Sequence, residues 1–430
     1  MVKRRILKEG RWFPFPKVSD ETLRHLAPQP WMSSVETIVV FKALGDGGAK
    51  ARFVGGCVRD AVLGRSIRDI DLATDAPPER VVELLKAAKI KVVPTGIAHG
   101  TVTAVVGGRP VEITTLRRDV ETYGRHAKVE FTDDWTADAS RRDLTINALS
   151  LDLDGTLHDP FGGLEDLLAH NVRFVGGARA RINEDVLRLL RYFRFFAHYG
   201  RPPADEEALA ACREMAPMLS QLSAERVRAE LLKILEAPTA AKVMRLMYDE
   251  GVLGHIAPEA IEFDRLSRLI ELEENLKLND PIRRLASVMQ LDKLDLDALS
   301  ERLRLSNVQA DRLIAMAEHR SAFVPTLGEA ECEALIYRIG ASTCLDAVLV
   351  GWAGADQNES WASLVDACNN WLPKKFPLRG NDVTALGAPS GPDVGILLRA
   401  VEEWWIDSRF QADRESCIEQ LKEVVGKLSY

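Results

Sequence analysis

Two aspartates one residue apart, Asp69 and Asp71, form the pair most suited to chemistry in the run FVGGCVRDAVLGRSIRDIDLATD. Alternate side chains of an extended strand point to the same face, so the two carboxylates would lie side by side. They would repel each other unless a cation lay between them. Mg²⁺ prefers oxygen ligands and leaves positions for water and substrate phosphates. The pair therefore predicts a Mg²⁺ site.

The same run carries two glycines and an arginine ahead of the aspartates. Gly55 and Gly56 allow the backbone to come close to an anion, and Arg59 adds a permanent positive charge suited to phosphate oxygens. An isolated Asp-Ile-Asp is more often a solvated surface turn. Its combination with the glycines and the arginine favours a phosphate-binding site beside a metal site.

A second candidate site lies in NEDVLRLLRYFRF, where Asp185 and Arg188 are three residues apart and would share a helix face. The simplest interpretation is an exposed ion pair of a few tenths of a kcal/mol. Cytosine and adenine, however, both present an amino donor next to a ring-nitrogen acceptor, whereas uracil and guanine invert that order. An aspartate and an arginine could therefore accept C and A and reject U and G.

These strings resemble the motifs of DNA polymerase β-like nucleotidyltransferases, in particular the bacterial tRNA nucleotidyltransferase and poly(A) polymerase family. The resemblance covers most of the chain and is strongest over residues 52–235. It implies that Asp69 and Asp71 bind the metals that align an RNA 3′-hydroxyl with a nucleoside triphosphate. It also implies that Gly55, Gly56 and Arg59 bind the triphosphate.

The string RRDLTINAL resembles the second motif of the family. Taken alone, its Asp143 would be a helix cap or a structural ion-pair partner. The resemblance implies that Arg142 and Asp143 contact the incoming sugar and phosphates, and that Asn147 supports the same pocket. LSAERVRAELLKIL matches a later, structural motif, in which Arg226 and Glu230 are expected to pair at four-residue spacing.

Base recognition and a third carboxylate complete the predicted site. The resemblance implies that Asp185 and Arg188 read the base, and we group Arg191 on the same helix with them. Glu112 is the candidate third catalytic carboxylate beside Asp69 and Asp71, because its neighbours Val111 and Ile113 would face the core while it faces away. An ordinary exposed strand glutamate is an equally good interpretation.

Short β-branched segments between residues 52 and 159 must position these side chains. VVGGRPVEI and LDLDGTLHD are typical of hairpins, and PPERVVELLKAAKI has helical spacing. The polar stretch 114–132 predicts a mobile loop over the site. Beyond about residue 180 nearly all spacing is helical. The predicted fold class is α+β, with a nucleotidyltransferase head (30–170) followed by an all-α neck (171–240), body (241–375) and tail (376–430).

Composition limits the remaining options. The 430 residues are 46% hydrophobic, which excludes a disordered chain, and a net charge of −8 argues against a generally basic nucleic-acid coat. Six cysteines without CxxC spacing predict reduced thiols rather than a disulfide or zinc framework. No apolar run is long enough for a membrane span or a signal peptide. We therefore expect a cytoplasmic protein.

The resemblance implies a class II CCA-adding activity, in which CMP and AMP from CTP and ATP are added to the tRNA 3′ end with Mg²⁺. The partners implied are the acceptor and T arms of tRNA, with no membrane and no protein partner. A bacterial poly(A) polymerase is the close alternative, although we would expect it to carry an extended basic tail. A relative that adds only CC or only A stays open. A non-catalytic RNA-binding protein is disfavoured, because Asp69, Asp71, Asp185 and Arg188 are all intact.

Overall fold

The computed structural model describes residues 25–67, 69–93, 96–97, 100–123, 126–290, 293–355, 360–386 and 391–427. The chain divides into two compact units. The first contains the residues up to Thr239 together with Val243–Ile256, and the second contains Ala240–Lys242 and Ala257–Tyr430. The first unit combines a mixed sheet with helices and the second is helical, so the predicted α+β class is confirmed.

A seven-stranded sheet in the order β3-β4-β5-β2-β1-β8-β9 forms the centre of the first unit. Its strands are β1 Ala51–Val54, β2 Asp71–Thr74, β3 Lys91–Val93, β4 Thr101–Val106, β5 Arg109–Thr115, β8 Ser150–Leu151 and β9 Leu157–His158. Strands β2 and β5 pair in parallel, and the other neighbours are antiparallel.

Both predicted hairpins are present. Gly107 and Gly108 connect β4 to β5 with φ angles of 59° and 83°, which favour glycine at both turn positions. The second hairpin, β8–β9, turns through Asp154 and Gly155, and Gly155 has a φ of 95°. The first hairpin delivers β5 to the sheet beside β2, and both of these strands carry candidate catalytic carboxylates.

The stretch predicted as a mobile loop contains an antiparallel ribbon of β6 Arg117–Tyr123 and β7 His126–Phe131. Its polar sequence concealed the strands, because ladder pairing uses backbone groups and needs no apolar periodicity. Arg118 and Glu130 face each other across the ribbon and form an ion pair of 2.7 Å. The prediction of a loop was therefore wrong for these residues, and their mobility stays a prediction.

The helices of the first unit begin with α1 and continue into a helical segment after β9. They are α1 Val35–Asp46, α2 Gly56–Val62, α3 Pro78–Ala87, α4 Trp135–Ser140, α5 Gly163–Ala169, α6 Ala178–Glu184, α7 Leu187–Tyr199, α8 Glu206–Met215 and α9 Ala224–Leu235. The next helix, α10 Ala240–Asp249, has its first three residues in the second unit and the others in the first. The predicted helix in PPERVVELLKAAKI is α3. The single helix expected from Asn183 onward is instead broken at Asp185, whose backbone is extended between α6 and α7.

The second unit consists of α-helices in its described residues. They are α11 Phe263–Leu276, α12 Pro281–Val288, α13 Lys293–Leu303, α14 Asn307–His319, α15 Glu329–Ile339, α16 Ala341–Gly354, α17 Ser360–Asn369, α18 Gly380–Thr384, α19 Pro392–Asp407 and α20 Arg414–Lys427. One apolar core surrounds Trp361 and another surrounds Trp405. The four-part division into head, neck, body and tail stays a prediction. No helix among the described residues is long and apolar enough to span a membrane.

Candidate active site

A pocket of about 650 Å³ opens in the first unit, where side chains from the sheet, α2, the segment after α4, α7 and α9 converge. Its charged lining contains seven arginines and four carboxylates, namely Arg59, Arg117, Arg141, Arg142, Arg188, Arg191, Arg226, Asp71, Glu112, Asp143 and Asp185. Eleven of the twelve site residues predicted from the sequence line this cavity, and Asp69 is the exception. The excess of arginine makes the pocket suited to a polyanion.

Asp71 and Glu112 are aligned across the parallel pair β2–β5. The alternation on β5 is the one predicted, with Val111 and Ile113 buried and Glu112 exposed. Burial raises the pKa of the Asp71 carboxyl above its ordinary value, and the negative charges of Glu112 and Asp69 raise it further, while Arg142 opposes them. A bound cation would therefore reduce the electrostatic repulsion that acts on the ionised Asp71 carboxylate.

Asp69 is exposed and lies two residues before β2. It is near enough to act on the Asp71 carboxyl, but it does not line the pocket. The predicted placement of both aspartates on one strand face is therefore only partly met. No metal-binding cluster of three or more side chains is found in the part of the chain that the structure describes. The carboxylate oxygens of Asp69, Asp71 and Glu112 nevertheless have the chemistry that a hard divalent cation requires.

Gly55 and Gly56 join β1 to α2 at the pocket wall. Gly55 has a φ of 71°, and a Cβ at that position would lie 3.5 Å from Nη1 of Arg142. A Cβ on Gly56 would lie 3.6 Å from Nη2 of Arg59. The two glycines thus keep the space beside two guanidinium groups open, as a phosphate-binding site requires.

Asp143 and Asn147 accept hydrogen bonds from arginines that line the pocket and so fix their positions. Asp143 is buried and accepts hydrogen bonds from Nδ2 of Asn147 (3.0 Å), the Leu144 amide (2.9 Å) and Nε of Arg191 (2.6 Å). Burial acts to raise the pKa of Asp143, but Arg191 and these hydrogen bonds outweigh it, so the pKa lies below its ordinary value. Asp143 is therefore ionised and engaged with the protein.

Arg142 is a second pocket arginine that is held by neighbouring residues. Its Nη1 donates to the Asn147 carbonyl at 3.2 Å and its Nη2 to Asp138 at 3.3 Å. Arg191, which we grouped with the base-reading pair, is bound to Asp143 instead. The structure therefore joins Arg191 to the predicted sugar and phosphate residues, although it lies on the same helix as Arg188.

Asp185 and Arg188 both line the pocket, but they are not paired with each other. Asp185 accepts from the Leu187 amide at 3.1 Å and from Nη2 of Arg226 at 2.7 Å. Arg188 donates to Glu184 and to the carbonyls of Arg181 and Arg141, the last two at 3.1 Å. The interpretation of Asp185 and Arg188 as an intrahelical ion pair is therefore wrong.

The pairing predicted within α9 is also wrong. Arg226 binds Asp185, whereas Glu230 binds Arg194 of α7 at 3.0 Å. Arg194 lies in α7 and Asp185 in the extended residues just before it, and both come into reach because α9 packs against α7 with Glu230 on its buried face. Sequence reasoning thus missed Arg226 as a pocket residue, together with Arg117 and Arg141. Arg141 precedes Arg142 in the quoted motif and could have been included on that ground.

Two family models match the chain. One describes the poly A polymerase head domain and covers residues 51–173. The other is described as the probable RNA and SrmB-binding site of polymerase A and covers residues 204–263. The first contains the whole sheet from β1 to β9, and the second begins just before α8.

Proteins of known name are similar over most of the length. The CCA tRNA nucleotidyltransferase 1, mitochondrial, of Danio rerio is 35% identical over 86% of this chain and 87% of its own. The CCA-adding enzyme of Lactobacillus johnsonii is 32% identical over 85% of this chain and 91% of its own. Among solved structures, the Bacillus stearothermophilus CCA-adding enzyme in complex with CTP is 27% identical, covers 91% of this chain and 97% of its own, and has a TM-score of 0.76.

Proposed function

The chain belongs to the tRNA nucleotidyltransferase and poly(A) polymerase family, and on that basis we propose that it adds CMP and AMP to the 3′ end of tRNA. The substrates are CTP and ATP, the product of each step is pyrophosphate, and no nucleic acid template is used. One observation carries the proposal. A single pocket contains the carboxylates Asp71 and Glu112 and also the pair Asp185 and Arg188, whose side chains are fixed by protein contacts.

The carboxylate side of the pocket serves the transfer step. The family uses a divalent cation, for which we propose Mg²⁺, held by Asp69 and Asp71 with Glu112 as the third carboxylate. Such an ion would lower the pKa of the attacking 3′-hydroxyl and shield the charge that develops on the phosphates. Around it, Arg59 and Arg142 would bind the triphosphate, and Gly55 and Gly56 would let the backbone approach it.

The helical side of the pocket serves the choice of base. Three of the five N–H groups of Arg188 are used by described residues, which leaves two that could donate to a ring nitrogen. Each oxygen of Asp185 accepts one hydrogen bond and has a second lone pair for a base amino group. The bond from Arg226 fixes the orientation of Asp185 before a nucleotide arrives.

The C-terminal helices would hold the RNA. We propose that the tail, residues 376–430, contacts the acceptor and T arms of tRNA. Arg379 at its start, and Lys374 and Lys375 immediately before it, are exposed and suited to phosphate contacts. Neutralising the two lysines to glutamine should weaken tRNA binding and reduce its dependence on salt concentration. Unchanged salt dependence would contradict this placement.

The decisive experiment is to sequence product 3′ ends after incubation of the protein with tRNA lacking CCA and all four triphosphates. We expect C to be added twice and A once, with growth ending after the third nucleotide. Long A tracts on tRNA and on unstructured RNA alike would support a poly(A) polymerase. Products ending in CC, or A added only to ends that already carry CC, would indicate a partial activity.

The cellular location is a separate proposal. All six cysteines are buried and free of disulfides, which supports a reducing compartment. We propose the cytoplasm, although the similar Danio rerio protein carries a mitochondrial name. Fractionation of the native cells with an antibody to the protein would test this, and recovery in an organelle fraction would contradict it.

A further inference from the structure

Behind Arg59, outside the pocket lining, lies a tyrosine that the catalytic scheme does not use. The hydroxyl of Tyr199, the last residue of α7, donates to Oδ1 of Asp60 at 2.9 Å. Asp60 in turn accepts two bonds from Arg59, Nε to Oδ1 at 3.1 Å and Nη2 to Oδ2 at 3.0 Å. The guanidinium of Arg59 is therefore held from behind by a carboxylate that is itself oriented by Tyr199.

The aromatic ring of Tyr199 makes a second contact with the same guanidinium. The Cζ atom of Arg59 lies 4.2 Å from the ring centroid, and Cζ of Arg65 lies 4.4 Å from it. Arg65 also donates to the carbonyl of His198 at 2.9 Å. The ring is thus bounded by two cations, one of which lines the pocket.

On its other side, Arg59 continues the network toward α7. Its Nη1 donates to Oδ1 of Asn147 at 2.7 Å, and Nδ2 of Asn147 donates to Asp143 at 3.0 Å. Asp143 accepts from Arg191, which is eight residues before Tyr199 on α7. The hydrogen bonds therefore close a ring that starts and ends on this helix.

The protonation states required by this ring agree with the surroundings. Burial raises the pKa of the Tyr199 hydroxyl above its ordinary value, and the charge of Asp60 and its hydrogen bond raise it further, against the opposing charges of Arg59 and Arg65. Tyr199 is therefore neutral near pH 7 and can donate. Neither Tyr199 nor Asp60 lines the pocket, whereas Arg59 and Asn147 do.

We propose that Asp60 and Tyr199 are positioning residues that fix the Arg59 guanidinium for the triphosphate and connect it to α7, the helix that carries Arg188. The inference rests on the proposed function, which assigns the triphosphate to Arg59. It adds that phosphate affinity depends on a hydroxyl that contacts no substrate. Loss of that hydroxyl would let the Arg59 side chain take up other rotamers, and the cost of ordering it would then fall on the substrate.

The first test uses pyrophosphate, because it has neither base nor sugar and reports on the phosphate end alone. Tyr199→Phe retains the ring and removes the hydroxyl. We expect its dissociation constant for pyrophosphate, measured by calorimetry in Mg²⁺, to rise about 3- to 10-fold. This is less than the direct loss of a hydrogen bond to a charged group would give, because the hydroxyl acts on the phosphates only through Asp60 and Arg59. Tyr337→Phe is the matched control, since it removes a tyrosine hydroxyl that donates to Glu402 in the second unit.

The second test is a double-mutant cycle on nucleotide addition. Tyr199→Phe and Asp60→Asn should each raise the KM for CTP and for ATP by similar factors and change kcat less than about twofold. In an Arg59→Lys background, Tyr199→Phe should have little further effect, because the group through which it acts has been replaced. A merely structural role would give additive losses and would not separate KM from kcat.

The outcomes distinguish this inference from the proposed function. If Tyr199→Phe binds pyrophosphate like the wild type, or if its effect persists unchanged beside Arg59→Lys, the positioning role is wrong. If the wild-type protein binds pyrophosphate and Tyr199→Phe weakens that binding, the role is supported even where no nucleotide is added to tRNA. In that last case only the proposed reaction would be contradicted. Thermal unfolding of each variant excludes a general loss of folding.

Discussion

Two clusters of arginine and carboxylate, one in each unit, look alike in composition and differ in how their charges are matched. In the second unit, Glu273 binds Arg283 and Arg284 at 2.7 and 2.6 Å, and Asp346 binds Arg283 at 2.8 Å and Arg312 at 2.5 Å. The Glu273 and Arg284 side chains are 0% and 2% exposed. In the pocket of the first unit, no described residue forms an ion pair with Asp71 or Glu112.

The difference shows that an arginine and carboxylate cluster is not by itself a functional site. Where every buried charge has its partner, removing one partner leaves the other uncompensated, and the free energy of unfolding falls. Where like charges are kept together at an open cavity, their repulsion is relieved by a ligand, and removing one should reduce activity more than stability. Substitutions of the same chemical type should therefore have opposite consequences in the two regions.

The largest effect is expected at the carboxylates of the pocket. Asp71→Asn should reduce nucleotide addition by about 10³-fold or more, because it removes a ligand for the ion that serves the chemical step. Asp69→Asn should act in the same direction, and both variants should bind tRNA within a few-fold of the wild type. Primer extension with radiolabelled CTP measures the first effect, and filter binding measures the second.

The exposed Asp311 provides a matched control for these aspartates, and Asp311→Asn should extend tRNA normally. Thermal unfolding of Asp71→Asn should occur at or above the wild-type midpoint, since a like-charge repulsion is lost. Near-normal incorporation by both Asp69 and Asp71 variants in Mg²⁺ would contradict the site assignment.

The opposite pattern is expected for Glu273→Gln in the second unit. Arg283 and Arg284 would then be buried beside a neutral group, at a cost of about 3–5 kcal/mol in the free energy of unfolding. Chemical denaturation would measure this loss. Catalysis by the protein that remains folded should be close to normal, and a variant as stable as the wild type would show that the cluster is hydrated or dispensable.

A smaller effect is expected on the choice of base. Asp185→Ala should increase UMP and GMP incorporation relative to CMP by about 10-fold, because one of two base contacts is lost while the carboxylates remain. Arg226→Lys should change the same ratio in the same direction but less, since a lysine can still approach Asp185. Competition between labelled triphosphates measures the ratio. Equal losses for all bases would mean that Asp185 only supports the fold.

The smallest effect concerns pH and Asp280, which caps α12 and binds Arg312 at 2.8 Å. Burial acts to raise the pKa of Asp280, but the amide of Arg283 and the side chain of Arg312 outweigh it, so the pKa lies below its ordinary value. A lowered folded-state pKa adds stability above the unfolded value near 3.9, and this stability is lost as pH falls through the folded value. Asp280→Asn keeps a capping side chain but loses the charge that faces Arg312, so it should cost about 0.5–1 kcal/mol at pH 7. In chemical denaturation at several pH values, the difference should begin to shrink below about pH 4 and should vanish only below the folded-state pKa.

Local patterns predicted the elements and much of the pocket. The Gly107–Gly108 turn sets the β4–β5 hairpin, and alternation around Glu112 placed its side chain on the exposed face. The sequence did not predict which side chains form ion pairs when the two residues are far apart along the chain. Arg226 lies 41 residues from Asp185, and their ion pair follows from the packing of α9 on α7, which no periodicity specifies. The buried cluster of Glu273, for the same reason, had no recognisable sequence pattern.

Asp185 and Arg188 are each held by groups of the protein, and this limits which bases the pair can distinguish. An acceptor and a donor in fixed positions distinguish only two classes of base, because C and A present the complementary donor and acceptor whereas U and G present them in the opposite order. Selecting one base of the four needs a second, independent distinction, between C and A. C and A differ in size, and neither Asp185 nor Arg188 can detect that difference by hydrogen bonding. We infer that the growing RNA 3′ end supplies it by changing the space left for the incoming base, so that the primer determines whether C or A is added next.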